Sequence, residues 1–162
     1  MIFIDNEFEI DIIIEDDYKR ICEIYNSNQK FLNKHLKVRQ IDESWLKNEI
    51  RIMKELNFLS CKIRKDNEII GLIDFSVDED SYISLMMIDE IYKNQGIGKY
   101  VFEVIEKYIK LNDSKKIKLD VVKDYDEKVI EFWERNGFVK IKEVELNWNK
   151  NILTAFNMEK LI

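Results

Sequence analysis

The 162-residue chain contains no proline and only four glycines. These two residues interrupt helices and strands most strongly, so their scarcity argues against linkers and low-complexity segments. The sequence also has no apolar run that approaches the roughly 20 residues needed to cross a bilayer as a helix. We therefore expect residues 1–162 to form one continuous domain that does not use a membrane as a partner.

Cysteine is scarce as well. Cys22 and Cys61 lie far apart in apolar surroundings, which favours two reduced, buried thiols over a disulfide. The first residues, MIFIDNEFEID, lack the basic start and longer apolar run of a signal peptide. Both features predict a cytoplasmic protein.

Positive charge is in deficit. The chain has 26 Lys and Arg against 32 Asp and Glu, for a net charge of -6 at pH 7. General nucleic-acid binding requires a basic surface, so we expect no nucleic-acid partner. A negative field attracts cations over long distances, which favours a cationic partner such as an amine, although solubility alone explains the same charge.

Hydrophobic periodicity predicts an alternation of strands and helices along the chain. Meander-like and strand–helix–strand segments coexist, which predicts a mixed sheet. The predicted order is a strand at 8–14, a helical region at 16–36 broken near 26–28, a helix after the N-cap Asp42, strands at 58–64, 69–77 and 81–89, a helix from Ile97, a strand at 116–122, a helix at 126–136, and strands at 138–146 and 152–160.

Two of the four glycines, Gly96 and Gly98, lie one residue apart in KNQGIGKY, between a strand and a helix. The first amides of a helix lack partners and carry partial positive charge, and glycine lets an anion approach them. The segment fails the dinucleotide fingerprint at Val101 and the P-loop at Lys93 and Tyr100. Taken alone, it fits a phosphate site or a helix entry that needs two permissive residues.

A second segment helps to interpret the glycine segment. DEKVIEFWERNGF, residues 126–138, ends a helix at Asn-Gly. The two segments together resemble the motifs of the GNAT superfamily of acyl-CoA N-acyltransferases. KNQGIG resembles Arg/Gln-x-x-Gly-x-Gly/Ala, with Lys93 at the Arg/Gln position. The later segment resembles N-x-x-A-x-x-F-Y-x-x-x-G-F, with Asp126, Val129 and Trp133 at the Asn, Ala and Tyr positions.

The resemblance covers nearly the whole chain and implies the GNAT fold, a mixed α/β architecture whose central sheet is splayed between the fourth and fifth strands. It implies acetyl-CoA or coenzyme A as the cofactor and no metal. In the family the pyrophosphate lies on the loop amides, and the pantetheine arm adds along the fourth strand, here Met86 to Ile88. The implied cofactor-binding residues are Met87, Ile88, Lys93, Gln95, Gly96, Ile97, Gly98, Lys99, Tyr100, Asp126 and Trp133.

The implied reaction is direct acyl transfer from the thioester to a primary amine of a small molecule or a protein. The amide of Ile88 is the expected oxyanion donor. Four carboxylates lie in the right part of the sequence to act as a base, Asp74, Glu79, Asp80 and Glu90, of which Glu90 is our candidate. The single histidine, His35, either lines the acceptor pocket or is exposed, and we expect it to be exposed.

Trp133 departs from the family, because many members use a tyrosine there to protonate the leaving thiolate. An indole N–H donates a hydrogen bond but is not a usable acid near pH 7. Tyr125 is the candidate substitute, with a surface tyrosine as its alternative. The departure leaves open a non-catalytic or weakly catalytic acyl-CoA-binding module. A nucleotide-phosphate binder of another class is a third possibility.

The last two strands carry apolar residues that either serve a homodimer or fill the core: Leu146, Trp148, Ile152 and Phe156. Members of the superfamily are often dimers, so we include a homodimer among the expected partners.

Overall fold

The computed structural model describes residues 1–148 and 150–162. Three single-turn segments accompany the regular elements: 3₁₀ turns at Glu15–Asp17 and Glu90–Tyr92 and a π-helical turn at Leu32–Leu36. The elements are β1 (Phe3–Ile4), β2 (Phe8–Ile12), α1 (Tyr18–Ser27), α2 (Gln29–Phe31), α3 (Glu43–Glu55), β3 (Leu59–Lys65), β4 (Glu68–Ser76), β5 (Asp80–Ile88), α4 (Ile97–Leu111), β6 (Lys116–Val122), α5 (Glu127–Arg135), β7 (Val139–Trp148) and β8 (Asn151–Leu161).

The eight strands form one sheet in the order β1-β2-β3-β4-β5-β6-β8-β7. All neighbours are antiparallel except β5 and β6, which are parallel and joined through α4. The predicted mixed sheet and element order are therefore confirmed. The two-residue β1 was not predicted, because a strand this short has no periodic signature.

The parallel pair separates early. Only Asp80, Ser81 and Tyr82 of β5 pair with β6, opposite Lys116–Lys118. From residue 83 to the end of β5, the edge that faces β6 has no strand partner in the described part of the chain. The predicted splay between these two strands is confirmed, and it opens a cleft in the middle of the sheet.

A β-bulge marks the point of separation. Asp74 of β4 pairs with Leu85, but the next residue, Phe75, pairs with Ile83. Ser84 is therefore an extra residue on β5. A bulge bends its strand and increases the local twist, which directs the end of β5 away from β6.

Helices cover both faces of the sheet. One apolar cluster packs α4 and α5 against the sheet and includes Ile97, Phe102, Ile105 and Trp133. The other packs α1 and α3 on the opposite face and includes Ile21, Leu46 and Leu85. The stripe predicted from Ile97 is the buried face of α4.

Local signals set the helix ends. The carboxylate of Asp42 accepts from the Trp45 amide at 2.8 Å, which makes it the predicted N-cap of α3. The first helical region breaks at Asn28, within the predicted range. The Asn28 side chain caps the end of α1 by donating to the Ile24 carbonyl at 2.9 Å.

Two ion pairs fix α1 and its leading turn to the sheet. Lys62 Nζ of β3 lies 2.6 Å from Asp17 Oδ2, and both side chains are buried. Arg20 Nη2 lies 2.5 Å from Asp89 Oδ2, and Arg20 Nε donates to the Ile69 carbonyl at 2.9 Å. These contacts fix the start of α1 to β3 and to the segments at the start of β4 and the end of β5.

The two cysteines are free and buried, as predicted. Burial raises the pKa of Cys22 to about 11 and that of Cys61 to about 12, so both thiols are protonated at neutral pH. None of the helices in the described residues is long and apolar enough to cross a membrane.

Asp74 is a carboxyl group inside the fold, on the face covered by α1 and α3. Burial raises its pKa to about 7, the neighbouring Ser60 hydroxyl opposes the rise, and Glu49 adds to it. Ser60 lies directly across the strand pair from Asp74. Its buried Oγ makes no well-formed hydrogen bond with any described residue.

We expect Asp74→Asn to stabilise the fold near pH 8 and to lose that advantage as the pH falls. Because the folded state binds the Asp74 proton more tightly than the unfolded chain does, the cost in stability grows as the pH rises from the unfolded pKa of about 3.9 to the folded pKa of about 7, and it is constant above that. The gain is on the order of 2–4 kcal/mol near pH 8 and shrinks toward pH 4. Thermal unfolding at both pH values measures it, with Asp113→Asn, at an exposed turn residue, as the control. A gain that does not change with pH would contradict this assignment.

Candidate active site

The cleft between β5 and β6 contains a cavity of about 210 Å³. Residues 83–88 of β5 form one wall and residues 119–122 of β6 form the other. Aromatic rings from three directions complete it: Phe31 and His35 from the α2 region, Tyr125 and Trp133 from α5 and the loop before it, and Trp148 from the end of β7. The cavity is therefore mostly apolar, with backbone polar groups along its β5 wall.

The end of β5 directs hydrogen-bonding groups into this cleft. The Asp89 amide donates to the Ile70 carbonyl of the neighbouring segment at 2.8 Å. Because amides alternate between the two edges of a strand, the amides of Ile88 and Met86 face the cleft. The predicted oxyanion donor, the Ile88 amide, thus has the required direction, although its role stays a prediction.

Asn28 connects α1 to the same edge. Its Nδ2 donates to the Ile88 carbonyl at 3.1 Å and its side chain lines the cleft. Asn28 was not among the site residues predicted from the sequence. The only signal was its place in the polar NSN interruption of the first helical region.

The glycine loop presents a row of free amides at the mouth of the cleft. No acceptor in residues 1–148 or 150–162 takes the backbone N–H groups of residues 94–99. Asn94 and Gly96 both adopt left-handed backbone conformations, with φ of 62° and 78°. When left-handed residues alternate with residues of negative φ, successive backbone N–H groups turn toward one side and can bind an anion. The start of α4 adds the partial positive charge of the helix dipole.

The two glycines have different constraints. A Cβ on Gly96 would meet no atom within 4 Å, so its positive φ of 78° is what requires glycine. A Cβ on Gly98 would lie 3.6 Å from Met86 Cε and from Phe132, which is ordinary contact. An alanine at 98 fits the observed backbone.

Lys93 lines the cleft and pairs with Glu90, Nζ to Oε2 at 2.6 Å. Glu90 is exposed in the turn after β5, and its amide donates to the Ser27 hydroxyl at 3.1 Å. Glu90 is not part of the cavity wall. The structure therefore brings Lys93 to the cleft and leaves the candidate base Glu90 at its rim.

Gln95 and Lys99 are exposed in and just after the loop, whereas Ile97 is buried under it. The Tyr100 side chain turns away from the cleft, since its hydroxyl donates to Asp5. Its amide is also occupied, because it donates to the Gly96 carbonyl. Asp126 is the N-cap of α5, accepting from the Lys128 amide at 3.1 Å. Asp126 shapes the start of α5 without lining the cavity.

Trp133 lies in the cleft wall at the predicted tyrosine position. Its ring is held edge-on by three aromatic neighbours, Phe102, Phe132 and Phe138, at centroid distances of 5.5, 4.9 and 5.2 Å. None of the described residues accepts a hydrogen bond from its indole N–H. Trp133 therefore offers the cleft a hydrogen-bond donor but no acid.

Tyr125 lines the same cavity and is partly buried, so the surface alternative for it is wrong. Burial raises its pKa to about 12, with Asp126 and Glu90 adding to the rise. The phenol is therefore protonated throughout the physiological range. Its position and protonation state are compatible with the proposed donor role.

The expectation that His35 is exposed is wrong. His35 is buried in the cleft wall, with its ring stacked on Phe31 at 4.1 Å and edge-on to Tyr125 at 4.8 Å. Burial lowers its pKa to about 4, while a contact of Nδ1 with the Phe31 carbonyl at 3.2 Å opposes the shift. The π-helical turn, which periodicity does not predict, rotates this side chain inward.

The other candidate carboxylates lie elsewhere. Glu79 and Asp80 lie at or just before the start of β5, where Asp80 pairs with Lys118 at 2.5 Å. This is the paired end of the strand, about 25 Å from Ile88 at roughly 3.3 Å per residue. Asp74 is enclosed under α1 and α3 and does not line the cleft. The carboxylate that does line it is Asp120 of β6, which was not predicted because it follows the alternation of an ordinary strand.

Coenzyme A fits the donor set of this site. The six loop amides of residues 94–99 suit a pyrophosphate. The open edge of β5 suits an amide-containing arm, and the apolar cavity suits the thioester end. Residues that the motifs place apart in sequence thus share one continuous cleft.

Comparisons with known proteins agree with this geometry. The family model described as acetyltransferase (GNAT) domain matches residues 23–162. No curated protein sequence matches the chain.

Three solved structures illustrate the shared fold. Spermidine N-acetyltransferase from Vibrio cholerae, in complex with CoA and spermine, is 14% identical with a TM-score of 0.76, covering 97% of this chain and 96% of that one. An acetyltransferase from Thermus thermophilus is 15% identical with a TM-score of 0.76, covering 96% and 97%. PaiA N-acetyltransferase from Thermoplasma acidophilum, in complex with coenzyme A, is 19% identical with a TM-score of 0.65, covering 96% and 99%.

We expect Gly96→Ala to weaken coenzyme A binding and Gly98→Ala to be tolerated. Alanine at 96 must adopt a left-handed backbone, which costs about 1–2 kcal/mol or displaces the loop amides. Calorimetric titration with coenzyme A measures the affinity, and thermal unfolding reports stability. Equal losses of affinity for the two variants would show that backbone conformation is not what the loop requires.

Proposed function

This chain belongs to the GNAT acetyltransferase family, and we propose that it transfers the acetyl group of acetyl-CoA directly to a primary amine held in the same cleft. Acetyl transfer from acetyl-CoA follows from family membership. The direct, ternary-complex route and the nature of the amine are the proposal. The spermine in one structural relative supports an amine acceptor.

The observation that carries the proposal is the continuity of the cleft. The loop that carries the free amides of residues 94–99 begins after Lys93, which lines the same cavity as residues 83–88 along the open edge of β5. One extended molecule with a pyrophosphate and a thioester suits this distribution of donors.

Acetyl-CoA supplies an activated acyl carbon on a thiol leaving group. In the proposal, the Ile88 amide donates to the carbonyl oxygen as negative charge grows on it, which is where a fixed donor lowers the barrier most. The amine nitrogen bonds to the acyl carbon and the carbon–sulfur bond breaks. One proton leaves the nitrogen and one is taken up by the thiolate, so the reaction needs no other reactant.

The leaving sulfur needs a hydrogen-bond donor more than it needs a strong acid. A thiol has a pKa near 8.5, so the phenol of Tyr125, with a pKa of about 12, stabilises the leaving sulfur by hydrogen bonding rather than by complete proton transfer. Trp133 also lines the cavity and offers a second N–H. On this reading, replacement of the family tyrosine by Trp133 moves the donor role to Tyr125.

The amine must be neutral when it attacks. An alkyl ammonium has a pKa near 10, so the free base is a small fraction at pH 7. His35, with a pKa of about 4, is neutral in the same wall and does not repel the incoming cation. The rate should therefore rise with pH through the neutral range.

The direct test measures thiol release from acetyl-CoA in the presence of a panel of primary amines. We expect release above the hydrolysis blank, with one thiol formed for each N-acetyl product identified by mass spectrometry. Release that no amine increases, in a protein that still binds coenzyme A, would favour the alternative of a non-catalytic acyl-CoA-binding module. Thermal protection by ATP but not by coenzyme A would favour a nucleotide-phosphate binder.

We expect Tyr125→Phe to lower kcat by about 10²-fold, the lower end of the usual contribution of a proton donor, with little change in KM or melting temperature. Phenylalanine keeps the edge-on contact with His35 and removes only the hydroxyl.

Tyr108→Phe is the matched control. Tyr108 lies on α4, packs against Phe75 of β4 and does not line the cleft. A Tyr125→Phe enzyme with the kcat of the unaltered chain would exclude Tyr125 as the donor. The cleft would then have to rely on Trp133, and Trp133→Phe would show the loss instead.

A further inference from the structure

A second cavity, of about 360 Å³, lies between α3 and the sheet. Its α3 wall is formed by residues spaced along one helix face, and its floor by Tyr82, Ser84 and Asp120 of the diverging strands. Its volume falls within the lower range of small-molecule sites. The reaction cleft described above does not account for this space.

The two cavities meet at the bulge. Four residues line both of them: Ser84, Asp120, Leu146 and Trp148. A molecule in the second cavity therefore reaches the cleft wall at the bulge without leaving the protein. An acceptor held there would approach a thioester bound along the open edge of β5 from the β6 side.

The ionisable lining of the second cavity is acidic. It contains the carboxylates of Glu49 and Asp120, and no Lys, Arg or His from the described residues lines it. Although the chain has 26 basic residues, none of those in the described residues lines this cavity to neutralise its two carboxylates.

Glu49 interrupts an apolar stripe. Its neighbours along the same face of α3, Trp45, Ile52, Met53 and Leu56, also line the cavity. No basic side chain in residues 1–148 or 150–162 lies within ion-pair distance of Glu49. Burial raises the pKa of Glu49, and a cation placed beside it would offset that cost.

Asp120 stands at the junction of the two cavities and is held by two donors. The Tyr82 hydroxyl donates to its Oδ2, and Asn157 Nδ2 donates to its Oδ1 at 3.0 Å. These bonds stabilise the carboxylate and fix its orientation. Aromatic rings of Trp45, Tyr82 and Trp148 add faces on which ammonium groups are favoured.

We propose that the second cavity binds the acceptor and that the acceptor is a small-molecule diamine, with Asp120 facing the reacting amine and Glu49 holding the second ammonium. The proposal rests on the acetyl-transfer function above. Asp120 orients the amine by accepting its hydrogen bond, and Glu49 is a specificity residue that does not touch the reacting atoms. An acceptor with a carboxylate in place of the second ammonium should be excluded by repulsion.

The test uses three acceptors that each have five carbons: 1,5-diaminopentane, pentylamine and 5-aminopentanoate. We expect kcat/KM, measured by thiol release, to be at least about tenfold higher for the diamine than for pentylamine, and lowest for the amino acid. The diamine advantage should appear mainly in KM, because the second ammonium is remote from the reacting atoms.

Variants at Glu49 then separate recognition from folding. Glu49→Gln should bring the ratio of kcat/KM for the diamine to that for pentylamine down to about one. Glu49→Lys should invert the preference in favour of 5-aminopentanoate, an outcome that mere loss of structure does not produce. Glu55→Gln, an exposed glutamate on α3 paired with Arg51, is the control and should keep the diamine preference.

Equal kcat/KM for the three acceptors, or a preference that survives Glu49→Gln, would overturn the diamine proposal while leaving acetyl transfer intact. If none of the three is acetylated, calorimetric titration of the coenzyme A-loaded protein decides the question. Tighter binding of the diamine than of pentylamine supports the proposal, and equal binding overturns it. Failure to bind coenzyme A would instead be a failure of the proposed function.

Discussion

The structure depends on one interrupted pairing, that between β5 and β6. Parallel neighbours normally exchange hydrogen bonds along their whole length, but these two separate after three residues. The separation exposes the amides of Met86 and Ile88, creates the cavity into which Tyr125 and Trp133 project, and leaves Asp120 between two spaces. The extra residue at Ser84 supplies the bend. The sheet thus loses hydrogen bonds in its interior and gains a row of directed donors where a ligand binds.

The surroundings of this gap are built to keep it open. Aromatic rings, including Phe31, His35 and Trp148, meet edge-on or stacked along the wall and pack at defined angles. Asn28 bridges from α1 to the end of β5, and α1 is itself anchored by Arg20 to Asp89. Contacts of this kind position the donors of the cleft, and fixed donors are the condition for electrostatic stabilisation to be effective.

Most of the fold was predictable because its signals are local. The alternation of 116–122, the N-cap at Asp42 and the stripe from Ile97 each arise from neighbouring residues and appear at the predicted positions. The glycine loop was predictable for the same reason. The inward turn of His35 was not, because a π-helical turn shifts the residues by a fraction of a turn without changing composition. Asp120 was also missed, because its significance comes from Tyr82 and Asn157, distant in sequence and adjacent only in the sheet.

The open edge of β5 has a consequence beyond ligand binding. Unpaired strand edges are the surfaces on which foreign strands add and aggregation begins. Here the edge faces inward, with β6 across the cleft and Asn28 on the Ile88 carbonyl, so another chain cannot align a strand along it without displacing part of the same sheet. The unpaired backbone groups of β5 are therefore accessible to a small molecule in the cleft but not to a strand of another copy of the chain.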